Sequence, residues 1–199
     1  MNPANPKPLA DHKDISAKSA DPKPGFLTDV ATLRERARKH IENGAVTEGY
    51  GLDRDTAVKL LNEALATEIV CVLRCRRHYF MASGIHSQAA ASEFLEHAGE
   101  EQEHADQIAK RITQLGGAPD LDPAGLTSRS HSEYVEGDTI NSMLKEDLVA
   151  ERIAIDSYRE MIGYFAEGDP TTRSMLEGIL AKEEEHAEDL ATLLEHIGN

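Results

Sequence analysis

A chain of 199 residues can bury a sizeable core in one domain, and nothing in its length demands two. Apolar residues are 40% of it but aromatics only 5%, with no Trp, which disfavours an aromatic-rich sheet and suits helices packed through Ala, Leu and Ile. The formal charge of −15 argues against a nucleic-acid partner for the folded body and is compatible with attracting metal cations.

Residues 1–25 hold five of the eight prolines, four lysines and three aspartates, with almost no apolar content to bury, and read as a flexible N-terminal arm. No signal-type apolar core follows the start and no run approaches a transmembrane span, so the expectation is a cytoplasmic protein without a membrane partner. Residues 26–52 form a short helix and linker. Thr28 or Asp29 caps the helix, which carries Leu33, Arg34, Arg36, Arg38 and Lys39 and ends near Gly44.

Residues 53–199 carry four long helical patterns. Asp53 or Asp55 caps the first, which runs to about Ser83 with Leu61, Leu65, Glu68, Val72 and Cys75 in its stripe. Cys71 and Cys75 lie four apart on it, where parallel Cβ vectors disfavour a disulfide and suggest a reducing compartment. The second runs from about Ser87 to Leu115, with Phe94, Ala98, Glu101, Ala105 and Ile108 on one face, until Gly116-Gly117 stops it. Residues 118–137 contain Pro119, Pro123 and Gly125 and show no sustained period, as expected of a long connection. Asp138 or Thr139 caps the third helix, whose inner face is expected to be Ile140, Leu144, Leu148, Glu151, Ile155, Tyr158 and Ile162. Asp169-Pro170 starts the fourth, with a seam through Leu176, Ile179, Glu183, His186 and Leu190. Short, long and short links predict an all-α fold, a four-helix bundle with one long crossover.

Two stretches repeat. Glu101-x-x-His104 is echoed by Glu183-x-x-His186, and on a helix each aims a carboxylate and an imidazole at one point. One such motif is weak, since about one is expected by chance in a chain of this composition. The lone glutamates strengthen it: Glu68 lies 33 residues before Glu101 and Glu151 lies 32 before Glu183, each interrupting an apolar stripe. Taken alone, the neighbouring Glu100, Glu103, Glu184 and Glu185 read as solvated surface, and His97 and His78 as satisfied flank histidines. Four carboxylates converging in a core without counter-charge are very costly, and two divalent cations neutralise them. The candidate ligands are Glu68, Glu101, His104, Glu151, Glu183 and His186. Oxygen and imidazole donors favour iron or manganese.

From about Asp53 to Ile197 these motifs resemble the ferritin-like superfamily, bacterioferritins and Dps-like ferritins with a bacterioferritin-type di-iron centre in particular. The resemblance implies a ferroxidase that binds two iron ions per subunit, oxidises Fe(II) with O2 or H2O2, and deposits ferric mineral in a hollow homo-oligomeric shell. It implies Glu68 with His104 as terminal ligands to one iron, Glu151 with His186 to the other, and Glu101 and Glu183 as bridges. The family's haem-binding methionine would follow the first bridging glutamate, where this chain has Gln102, so no haem is expected. The tyrosine expected seven residues after Glu68 is Cys75, and its counterpart after Glu151 is Tyr158; either could supply an electron. Asp147, one turn before Glu151, is a candidate to orient a ligand imidazole. Only 13 residues follow His186, too few for the fifth helix of 24-subunit ferritins, so a 12-subunit shell is favoured.

Two other readings compete. One is a Dps-like DNA-protecting protein gripping duplex through Lys7, Lys13, Lys18 and Lys23, although Asp11, Asp14 and Asp21 counter them. The other is a different di-metal oxidase or peroxidase of rubrerythrin type, weakened by the lack of any Cys-x-x-Cys pair.

Overall fold

A computed structural model of the chain describes residues 28–84 and 87–197. The arm expected over residues 1–25 lies outside the described residues. Helix α1 spans Val30–Arg36, with Asp29 as its N-cap accepting from the Thr32 amide. None of its residues is buried, so only local propensity sustains it. It stops at Arg36 rather than near Gly44, and the chain continues through a 3-10 turn at Ile41–Asn43 that His40 enters with left-handed backbone, φ 51°.

Four long helices follow, α2 (Arg54–Met81), α3 (Ser87–Gln114), α5 (Ile140–Phe165) and α6 (Pro170–Ile197), with a four-residue helix α4 (Leu126–Arg129) inside the long connection. Their starts follow side-chain chemistry. Asp53 accepts from the Thr56 amide at 2.8 Å, Thr139 and Ser142 form a reciprocal capping pair, and Asp169 accepts from the Thr172 amide at 2.9 Å with Pro170 in the first helical position. At the end of α3, Gly116 takes φ 80° while the Gly117 amide reaches the Ile112 carbonyl, a stop that needs a residue without Cβ strain.

Helix α2 packs mainly on α3, and α5 on α6. The connection between the two hairpins tracks α2 from end to end: Asn62 holds Ala118 and Asp120, Thr67 accepts from the His131 amide, and His78 meets the Val135 carbonyl. The crossover thus travels in the direction of α2 and delivers the chain to the far end, where α5 sets off parallel to α3. This is the four-helix bundle with one long crossover that the link lengths predict.

Apolar packing falls into two main clusters. One contains Leu61, Leu65, Ile108, Ile112, Met161, Phe165 and Leu176; the other contains Phe94, Leu144 and Leu190. Residues 68, 101, 104, 151, 183 and 186 lie between them in sequence on every helix, forming a polar layer across the bundle. The inner face of α5 is rotated from the expected one. Leu144, Asp147, Glu151, Ala154, Tyr158, Met161 and Phe165 are buried, whereas Ile140, Leu148, Ile155 and Ile162 are only half-buried flanks. Ala150 and Ala154 are buried on the observed face, and Asp147 is drawn inward by the buried guanidinium of Arg74. No described helix is long and apolar enough to cross a membrane.

Candidate metal centre

The six residues Glu68, Glu101, His104, Glu151, Glu183 and His186 are all buried in that polar layer. Each sits within an apolar stripe, so burial of its helix carries it inward. His104 turns Nδ1 toward three carboxylates, 2.9 Å from Glu183 and 3.5 Å from both Glu68 and Glu101. His186 turns Nδ1 the same way, 3.7 Å from both Glu101 and Glu183. Ligand atoms of Glu68, Glu101, His104 and Glu183 all lie within 4.8 Å of one another, and so do those of Glu101, Glu151, Glu183 and His186. The two groups share Glu101 and Glu183.

Few of these buried atoms have hydrogen-bond partners. Both oxygens of Glu151 and of Glu183, one each of Glu68 and Glu101, and the inward nitrogens of both imidazoles lack a hydrogen bond of good geometry, although His104 Nδ1 stands 2.9 Å from Glu183. Buried polar atoms in native folds are nearly always satisfied, and a cluster of exceptions on one point marks a place for a cation. The donor set, mixed carboxylate and imidazole without thiolate, fits iron or manganese.

The electrostatics agree. Burial, with Glu101 alongside, pushes the Glu68 carboxyl up to about 8. Burial and then the charges of Glu101 and Glu183 push Glu151 well above the carboxylate range. Burial acts the same way on Glu101 and Glu183, but close contacts that include both imidazoles carry these two below it. Burial opposes charge on the imidazoles, yet Glu101, Glu183 and Glu68 bring His104 up to about 12, and Glu101 and Glu183 bring His186 up to about 10. Protons therefore stand where a metal would. The carboxyls of Glu68 and Glu151 are pushed toward the neutral form, and the imidazoles of His104 and His186 toward the charged form, facing Glu101 and Glu183.

A family model of the ferritin-like domain matches residues 58–198. The chain belongs to the ferritin-like family. It is 32% identical over 137 residues to a nutrient stress-induced DNA-binding protein of Synechococcus sp., across 67% of this chain and 78% of that one. It is 30% identical over 139 residues to a bacterioferritin of Rhodobacter capsulatus, across 68% and 80%. Among solved structures, the bacterioferritin-related protein of Bacteroides fragilis, described as a dodecameric thioferritin, matches with a TM-score of 0.72 at 33% identity, across 74% of this chain and 89% of that one. A Dps of Thermosynechococcus elongatus shares the fold, with a TM-score of 0.68 at 20% identity over 70% of this chain and 90% of that one.

Within this ferritin-like bundle the remaining predicted residues fall as follows. The Tyr158 hydroxyl donates to Glu68 Oε1 from a buried position. Cys71 and Cys75 are free and buried. Burial, offset by Arg74 and reinforced by Glu101, Glu151 and Glu68, pushes the Cys71 thiol well above its usual range, so Cys71 too feels the centre's charges. Gln102 donates to Asp106 on the half-exposed face of α3.

Asp147, expected to orient a ligand imidazole, meets other partners. Arg74 Nε donates to its Oδ1 at 2.7 Å and His78 Nδ1 lies 2.9 Å from its Oδ2. Arg74 also donates to Ser132 Oγ and the Glu133 carbonyl, so Asp147 anchors the crossover to α2 and α5.

Glu100 was missed. It was expected to be solvated, but it is half-buried, with Oε2 2.7 Å from His186 Nε2 and Oε1 3.2 Å from Lys182 Nζ. Its signal was present in the spacing of Glu93, His97, Glu100 and His104, a second polar stripe at three- and four-residue intervals beside the apolar one. Glu103, Glu184 and Glu185 are exposed, as expected.

Proposed function

We propose that the chain is a ferroxidase of the ferritin-like family that binds Fe(II) as substrate at an intra-subunit di-metal centre and stores the product as ferric mineral. The observation that carries this reading is the pair of overlapping four-residue groups sharing Glu101 and Glu183. That overlap suits two adjacent ions: Glu68 and His104 complete one set, Glu151 and His186 the other, and the shared carboxylates bridge. Four carboxylates against two divalent ions leave the filled centre neutral. Manganese fits the same donors.

Two ferrous ions give up one electron each. A peroxide accepts both electrons with two protons and becomes two waters; dioxygen accepting the same set becomes peroxide. The chain's part is to hold the ions in register, keep bulk water out through the apolar clusters on either side, and accept or release protons at the carboxylates. Tyr158 or Cys75 is assigned as an auxiliary donor that carries the reduction of dioxygen one electron beyond the two that the ferrous ions supply, and the contact of Tyr158 with Glu68 supports the first. If Tyr158→Phe and Cys75→Ser both left the oxidation rate and stoichiometry unchanged, neither donates. A 12-subunit shell is the proposed assembly, supported by the dodecameric description of the Bacteroides fragilis neighbour.

The test is an anaerobic Fe(II) titration followed by oxidant, on wild type and Glu101→Ala, with thermal melts to confirm folding. Two irons bound per subunit and rapid oxidation are expected in wild type, with both lost in the variant. Failure to bind two irons, or no effect of the substitution, would sink the assignment.

Binding to DNA is a second reading, favoured by the DNA-binding description of the Synechococcus relative. The charge of −15 opposes it for the folded body. A gel shift at physiological salt, with and without residues 1–25, decides: retention only with the arm intact supports it.

A further inference from the structure

Helix α3 carries His97, Glu101 and His104 at intervals of four and three residues, which places all three on one face. The sequence suggests a satisfied flank histidine at position 97, yet only half of the ring is satisfied. His97 is 1% exposed. Its Nε2 lies 3.0 Å from Glu93 Oε1, while Nδ1 points inward, 4.0 Å from Glu151 Oε1, with no hydrogen-bond partner. The ring stacks on that of His186, centroids 4.0 Å apart and planes 22° apart. Ligand atoms of His97, Glu151 and His186 lie within 4.8 Å of one another.

An ionised Glu93 can only accept a hydrogen bond, so the ring proton sits on Nε2 and the Nδ1 lone pair faces Glu151. Neither Glu151 oxygen has a hydrogen bond either. At 4.0 Å the pair is too far apart for one, whichever of them carries a proton. A metal ion resolves this opposition: bonds of about 2.0–2.2 Å, such as zinc makes to imidazole nitrogen and carboxylate oxygen, span a gap of this size. The other half of the bundle lacks an equivalent. Four residues before Glu183 stands Ile179, in the same apolar cluster as Leu65 and Tyr158.

We propose that His97 is a seventh ligand of the centre, bonding through Nδ1 to the ion held by Glu151 and His186, and that this position fills before the one held by Glu68 and His104. The proposal rests on the reading of the six buried residues as a di-metal centre. Two imidazoles on one ion against one on the other make the two positions chemically unequal. The nitrogen-rich position suits iron over manganese, and the carboxylate-rich one accepts either.

The experiment uses the full chain and Co(II) without oxygen. Wild-type crystals are soaked below one equivalent and then in excess, and the ions are located by anomalous scattering. The expected result is a first peak within bonding distance of His97 Nδ1, between Glu151 and His186, and a second beside Glu68 and His104 only in excess. In solution, calorimetric titration compares wild type with His97→Gln, which keeps a donor for Glu93 but offers no imidazole. Losing a direct ligand should cost no less than losing a supporting one, so the tighter of two wild-type steps should weaken about tenfold or more, with the other step unchanged. Cobalt in both positions with His97 standing off, or with a water between, overturns this inference alone, as do equal titrations or a first peak beside Glu68. No cobalt among the six buried ligands overturns the di-metal reading together with it.

Discussion

Glu100 and His186 meet across the seam between α3 and α6, Oε2 to Nε2 at 2.7 Å, so that the opposite nitrogen of the imidazole faces Glu101 and Glu183. A carboxylate on the outer nitrogen of a metal-facing histidine sets the ring's orientation and tautomer and raises its basicity. Glu100→Ala is expected to weaken Co(II) binding at the centre by about 10- to 100-fold, with Glu100→Gln between it and wild type. Isothermal titration measures this. Equal affinities would reduce Glu100 to a partner of Lys182.

Metal binding should release protons. Near pH 7 the raised values of Glu68 and Glu151 keep both protonated, and those of His104 and His186 keep both rings cationic. All four groups must give up a proton to ligate, so filling both positions should release about four protons per subunit. Because the values are raised, protons compete more strongly than on free side chains, and affinity should climb as pH rises through about 8, the value for Glu68. An indicator dye in weakly buffered anaerobic solution counts the release on adding Co(II). Release of none would mean that these residues do not ligate.

The centre should cost stability when it holds no metal. Glu151 is fully buried with neither oxygen hydrogen-bonded. Replacing such a group by an apolar one of similar size is often stabilising by about 1–4 kcal/mol. Glu151→Leu should therefore raise the melting temperature of metal-free protein, by roughly 2–4 °C per kcal/mol for a chain of this size. Co(II) at a hundredfold excess over its Kd should stabilise wild type by about 2.7 kcal/mol and the variant much less. Paired melts with and without Co(II) give both numbers, and a variant that melts below wild type without metal contradicts the account.

At the opposite end of the bundle, Asp169 caps α6 and accepts two hydrogen bonds from Arg111 of α3, at 2.8 and 2.9 Å. Asp169→Ala removes the cap and leaves a buried guanidinium without its carboxylate, at an expected cost of about 3–5 kcal/mol in urea unfolding. Burial raises the Asp169 carboxyl, but Thr172 and then Arg111 outweigh it and hold the value below the usual range. A depressed folded value stabilises fully above the unfolded value of about 3.9 and is lost as pH falls through the folded one. The gap between wild type and variant should thus be constant near neutrality and close below about pH 4.

The order of long helices, their caps and the single crossover could all be read in advance, because each rests on local chemistry: Asp53, Thr139 and Asp169 at helix starts, Gly116-Gly117 at a stop, and periodic apolar stripes between. The six candidate ligands were legible for the same reason, as polar interruptions of those stripes repeated at 33 and 32 residues. The exact face of α5 was not. Ile155 and Ala154 are both apolar, and the choice between them depends on how closely a neighbouring helix approaches and on Arg74 reaching Asp147 from α2.

What the sequence determined by itself is which residues lie on which stripe, since helical periodicity follows from backbone geometry alone. Only the tertiary structure decided which stripes meet. Glu100 binds His186 from a residue 86 positions away, His97 turns one nitrogen toward Glu151 of α5, and Asp147 serves Arg74 and His78 rather than a ligand imidazole. Such contacts follow from how four helices dock, and no spacing within one helix encodes the rotation of its neighbour.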